Sequence, residues 1–131
     1  MVKTMTPQNI TLSLDKSMAT ILLNNPKKHN MLGLQELEQL DAIVDKIENE
    51  KDIRAVIVTG SGSKTFCSGF NLNQISNVDW EDDPFQRAVT RLEDIKAPTI
   101  CALNGSVYGG GTEIAVACDF RIGVIGMELD I

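Results

Sequence analysis

The run Ala55-Val56-Ile57-Val58-Thr59 is compact and largely β-branched, and Gly60 and Gly62 stop it. A fully buried parallel strand ends in a loop in this way, so the run constrains the chain more than any other stretch. Just before it, Leu34, Leu37, Leu40, Ile43, Val44 and Ile47 recur at helical spacing with acids and Gln between them, which predicts a helix over Leu34 to Ile47. Helical spacing returns over Phe85 to Lys96, after which Pro98 restarts the chain in extended form and Thr99 to Leu103 reads as another strand turned by Asn104 and Gly105. A helix around Thr112 to Ala117 and a strand at Phe120 to Val124 follow. Only the beginning differs. Ile10, Leu12 and Leu14 alternate with polar residues from Asn9 to Asp15, and Ala19 to Leu23 answers across the turn residues Asp15, Lys16 and Ser17 as an antiparallel hairpin. Strands alternating with helices indicate an α/β fold, and 131 residues without repeat or linker fit one domain, 1–131.

Charge and cysteines exclude several functions. Eighteen acidic against 12 basic residues give a net charge of −6, which disfavours nonspecific nucleic-acid or anionic-membrane binding. An anionic ligand would need a local basic patch. Cys67, Cys101 and Cys118 form no CxxC pair, and the lone His29 completes no Cys/His metal set with them, so no metal site is expected. Reduced, packed thiols suit a cytoplasmic protein. The N-terminal MVKTMTPQNI lacks the apolar core of a signal peptide, and nowhere do about 18 apolar residues run together. GVIGMELDI at the end gives neither a terminal helix nor a polar tail, and the chain is expected to stop partway through a larger fold.

The chemistry gathers at glycines. Gly109, Gly110 and Gly111 would each weaken a helix by roughly 1 kcal/mol relative to alanine, yet they stand directly before an apolar helical stretch. A backbone without Cβ lets an N–H approach a ligand, and a helix N-terminus adds unpaired donors, so the triplet reads as half of an oxyanion pocket. Phe66-Cys67-Ser68-Gly69-Phe70-Asn71, which also follows a buried strand, is the other half. Two converging donors are what an acyl-transfer or enolate-forming enzyme needs, each contributing about 3 kcal/mol as charge grows on a carbonyl oxygen. Glu113 could serve beside them as general base or acid. Glycine turns before helices are also packing devices, and a first-turn Glu is also a dipole partner; locally both readings stand.

Other motifs fail on spacing. GSGSKT around Lys64 would need Gly at positions 58 and 63 to be a phosphate loop, where Val58 and Ser63 stand. GxGxxG fails at Thr65 and again at Ile114. A Cys67/His29 nucleophile pair lacks an orienting partner.

Taken together, ATILLNNPKKHNML, IRAVIVTGSGSKTFCSGFNL and IKAPTICALNGSVYGGGTEIAVACDFRI resemble, in order and spacing, the enoyl-CoA hydratase/isomerase family, also called the crotonase family. The resemblance covers about Ala19 to Ile122 and implies a crotonase-like ββα superhelix, truncated before the C-terminal helical region that builds trimers. It also implies chemistry on an acyl-CoA thioester, with coenzyme A as part of the substrate and no prosthetic group. Hydration of a 2-enoyl-CoA is the leading expectation. Isomerisation or thioester hydrolysis by the same oxyanion hole, a noncatalytic acyl-CoA-binding subunit and a nucleotide-binding module are the alternatives.

By that resemblance the backbone N–H groups of Phe70 and Gly110 are the oxyanion donors, and Glu113 is the acid used with a bound water. Lys27 and Lys64 approach the nucleotide end of coenzyme A, and the Ser68 backbone contacts adenine. Leu72, Ile75, Trp80 and Phe85 would line the acyl pocket. Asn71 stands where many members have Asp, and Phe70 where Ala is frequent. The second hydratase acid is expected beyond Ile131, with the remaining acyl pocket and the helices of a homotrimer or hexamer.

Overall fold

Asp15 pairs with Met18 at the close of the opening hairpin, so its loop is the two residues Lys16 and Ser17. Lys16 takes a φ of 56°, the left-handed conformation that so tight a turn demands. In this computed structural model, which describes residues 8–79 and 81–130, the hairpin is β1 (Ile10–Asp15) and β2 (Met18–Leu23). Residues 1–7, where no signal-peptide pattern was found, and Trp80 lie outside the described residues.

Every other strand pairing among the described residues is parallel. The first sheet runs β1-β2-β3-β5-β7, with β3 at Ala55–Gly60, β5 at Thr99–Leu103 and β7 at Phe120–Gly123. The second runs β4-β6-β8, from Thr65–Cys67, Ser106–Tyr108 and Leu129–Asp130. Three helices, α1 (Leu34–Asn49), α2 (Pro84–Glu93) and α3 (Gly110–Ala117), complete the order. Each turn of the chain therefore lays one strand in the first sheet, one in the second, then a helix: β3-β4-α2, then β5-β6-α3. Between β2 and α1 the second-sheet strand shrinks to a single residue, Leu32, which bridges to Phe70. This is the ββα superhelix that the resemblance implies.

Packing follows the side-chain periods. Leu37, Leu40, Ile43, Val44 and Ile47 of α1 are buried with Ala19, Ile21, Val56, Val58 and Cys101 of the first sheet in one cluster. At roughly 1.5–3 kcal/mol for each large side chain, this seam contributes on the order of 10 kcal/mol. β3 departs from the reading as a strand buried on both faces. Val56 and Val58 are buried but Ile57 is only half-buried, because helices cover one face of the sheet and leave the other open among the described residues. Phe120 and Ile122 of β7, on that open side, are 61% and 67% exposed.

The helix ends are fixed by polar groups. Glu36 reaches back to accept from the Gly33 N–H at 2.9 Å, and Asp83 caps α2 by accepting from Phe85 and Gln86 N–H groups at 3.0 and 3.2 Å. Arg91 of α2 donates to the carboxylates of Asp41, Asp45 and Glu48 on α1. Those hydrogen bonds, to Asp41 first and Asp45 next, raise the guanidinium's pKa further.

Candidate active site

Two asparagines, Asn30 buried and Asn104 half-buried, shape one side of the site. Asn30 is 1% exposed; its amide donates to the Ser61 and Thr65 carbonyls at 3.0 Å each, and its carbonyl accepts from the Asn25 N–H at 2.8 Å. Asn104 donates to the Gly62 and Thr65 carbonyls at 2.9 and 3.2 Å and accepts from the Gly60 N–H at 3.0 Å. Both amides thus converge on the Thr65 carbonyl and hold the Gly60 to Thr65 loop against the Asn25–Asn30 turn. The sequence reading gave neither residue this role; Asn30 was visible only within the stretch ATILLNNPKKHNML and Asn104 only as a turn residue after a strand.

Past that loop, the ends of β4 and β6 bring the two glycine segments into contact. A Cβ placed on Gly69, whose φ is 96°, would lie 2.8 Å from the Gly110 nitrogen. A Cβ on Gly111 would run into the carbonyl oxygen of Cys67. Only hydrogen fits at either position, which explains both glycines by close backbone approach.

That approach sets the direction of two donors. The bridge to Leu32 uses the Gly69 carbonyl and the Asn71 N–H, both at 2.8 Å, so the intervening N–H of Phe70 faces the other way. Among the described residues it donates to no backbone acceptor. Gly110 opens α3, where the helix offers its N–H no acceptor.

Both residues line a cavity of about 410 Å³, together with Ser68, Leu72, Val78, Asp83, Phe85 and Glu113. Of the expected acyl-pocket residues, Leu72 and Phe85 are there; Ile75 is not among the lining residues. A second space between α2 and α3 adjoins it and shares Gln86, Gly109, Gly110 and Glu113. Glu113 stands where the two meet. Its side chain is exposed, so the described residues offer it water but little burial.

Lys27 and Lys64 are exposed on neighbouring loops, since a Cβ on Gly62 would lie 3.2 Å from Cβ of Pro26. Ser68 donates its N–H to the His29 carbonyl at 3.1 Å, which leaves the Ser68 carbonyl, not the N–H, for a ligand. His29 Nδ1 bonds Thr65 Oγ1 at 3.1 Å. Burial pushes the Cys67 thiol up to about 12 despite a hydrogen bond from the Gly69 N–H. A thiol held protonated in this way is no nucleophile at neutral pH, and His29 is engaged with Thr65.

Comparison with known proteins agrees with this architecture. The family model described as enoyl-CoA hydratase/isomerase matches residues 13–124. The chain is 35% identical over 119 residues to the short-chain-enoyl-CoA hydratase of Clostridium acetobutylicum, covering 87% of this chain and 46% of that protein. It is 32% identical over 120 residues to the crotonyl-CoA hydratase of Syntrophomonas wolfei, with 88% and 46% covered. A crystal structure of an enoyl-CoA hydratase from Bacillus anthracis superposes with a TM-score of 0.85 at 35% identity, over 93% of this chain and 50% of that one. The chain spans about half the length of these relatives.

Proposed function

The chain belongs to the enoyl-CoA hydratase/isomerase family, and from that premise we propose that its site polarises the carbonyl of an acyl-CoA thioester for hydration of a 2-enoyl-CoA. The observation that carries the proposal is the close approach of Gly69 to the Gly110 nitrogen, which sets the Phe70 and Gly110 donors around one cavity. An oxygen about 2.9 Å from each would receive two hydrogen bonds that strengthen as negative charge develops on it.

The reaction then proceeds as a conjugate addition. Glu113 takes a proton from water as the water oxygen bonds to the β-carbon, and the alkene electrons move toward the thioester oxygen. The two N–H groups hold the resulting enolate. Collapse of the enolate takes a proton at the α-carbon from a second acid, completing addition of H and OH. Exposure of Glu113 at the junction of two spaces supports this role, since one can admit water and the other the thioester. Lys27 and Lys64 supply the local positive charge that an acidic protein needs to hold the phosphates of coenzyme A.

The test follows the absorbance of the conjugated thioester with a short 2-enoyl-CoA and the full natural chain. The proposal predicts loss of absorbance in the wild type and a rate at least about 100-fold lower in Glu113→Gln. Saturable binding without turnover would shift the reading to a noncatalytic acyl-CoA binder. Full activity in the variant would remove Glu113 from the chemistry.

A further inference from the structure

The immediate neighbour of the Gly110 donor is an aromatic ring. A Cβ placed on Gly110 would lie 2.7 Å from Cζ of Phe85, so the ring rests against the Gly110 backbone. Phe85 is 9% exposed, and Phe70 meets it edge to face, with centroids 6.2 Å apart and planes at 77°. Both rings line the 410 Å³ cavity. Asp83, through its hydrogen bond to the Phe85 N–H, fixes the start of the helix that carries the second ring.

Consider where the substrate's carbons must go. A thioester oxygen bonded to Gly110 sits about 2.9 Å from its nitrogen, and the α-carbon follows only two bonds beyond that oxygen, about 2.4 Å away. With the acyl side of the carbonyl, rather than the sulfur, turned into the cavity that Phe85 and Phe70 line, a substituent on the α-carbon falls in the space bounded by Phe85, whereas carbons from the γ-position outward extend beyond it. Phe85 cannot swing away freely, because Phe70 supports one side of it and the Gly110 backbone another.

Resting on the proposed acyl-CoA reading, the geometry points to Phe85, propped by Phe70, as a specificity-determining residue that admits thioesters unbranched at the α-carbon and rejects α-methyl ones. This selectivity acts at the reacting end of the acyl group, independently of chain length.

The experiment compares kcat/KM of the full natural chain for crotonoyl-CoA and 2-methylcrotonoyl-CoA, which differ by one α-methyl group. The wild type should prefer the unbranched thioester by about 100-fold, within the range a single methyl group commands in a tight pocket. Phe85→Leu should shrink the preference by about tenfold, chiefly through gain on the branched substrate, and Phe70→Leu should shrink it in the same direction. A wild-type preference below about threefold, or one that both variants leave unchanged, overturns the assignment. Should turnover be absent, dissociation constants of butanoyl-CoA and 2-methylbutanoyl-CoA separate the two claims. A retained preference for butanoyl-CoA, reduced in Phe85→Leu, supports the aromatic restriction. Equal binding of both removes it alone, and binding of neither removes the acyl-CoA reading together with it.

Discussion

Replacing Asn30 with Ala should destabilise the chain far more than its small side chain suggests. The substitution deletes three hydrogen bonds, to the Asn25 N–H and to the Ser61 and Thr65 carbonyls. Each is worth about 1 kcal/mol net, and a buried group left without a partner costs more than that. The Thr65 carbonyl keeps its second donor, Asn104, at 3.2 Å; the Asn25 N–H and the Ser61 carbonyl have no such reserve in the asparagine pair. The sum is about 3–4 kcal/mol, a large share of the 5–15 kcal/mol typical of a folded domain. Urea unfolding should show a midpoint lower by about 1–3 M with little change in slope. Asn30→Asp should be at least as damaging, because a carboxylate would face two carbonyl oxygens at the same distances. A loss below about 1 kcal/mol would refute the claim that this amide joins the two loops carrying Lys27 and Lys64.

Gly111→Ala should cost about 2–3 kcal/mol and depress turnover, since its methyl group meets the Cys67 backbone rather than a yielding side chain; urea unfolding and the absorbance assay read the two effects. The Cys67 thiol, raised by burial from 9.0 to about 12, should resist alkylation at about pH 8 until the chain unfolds. Because the folded state holds that proton more tightly, its contribution to stability is complete below about pH 9 and declines as pH rises toward about 12, which an alkaline unfolding series with Cys67→Ala as reference would detect. Arg91→Ala should lower stability by no more than about 1 kcal/mol and in a salt-dependent manner, because its three carboxylate partners are 49–60% exposed; unfolding at low and high salt measures it.

The first sheet was legible in the sequence because its strands are long enough to show a period and end at or just before Gly, Asn or Asp. β4, β6 and β8 were not: with two or three residues each they carry no period, and Thr65–Cys67 read as part of a loop. Gly69 and Gly111 were legible as backbone that comes close to a ligand or to a packing partner, but local sequence could not reveal that another backbone lies directly across from each of them. Asn104 was hidden because asparagine beside Gly105 reads as turn chemistry, and Asn30 because it stands in a short irregular stretch between His29 and Met31 with no period to show that it is buried. Exposure of Glu113 and consumption of the Ser68 N–H by His29 depend on contacts between distant segments, and neither follows from local spacing.

The central claim is that the Phe70 and Gly110 N–H groups converge on one carbonyl oxygen. The most direct measurement is carbon-13 NMR of a 2-enoyl-CoA labelled at the thioester carbonyl, bound at saturation to Glu113→Gln so that hydration does not consume it. Two donors withdrawing charge through that oxygen predict a downfield shift on binding, diminished in Gly69→Ala, whose methyl group would displace the Gly110 nitrogen. A carbonyl resonance that stays at its free position under saturating protein would contradict the account.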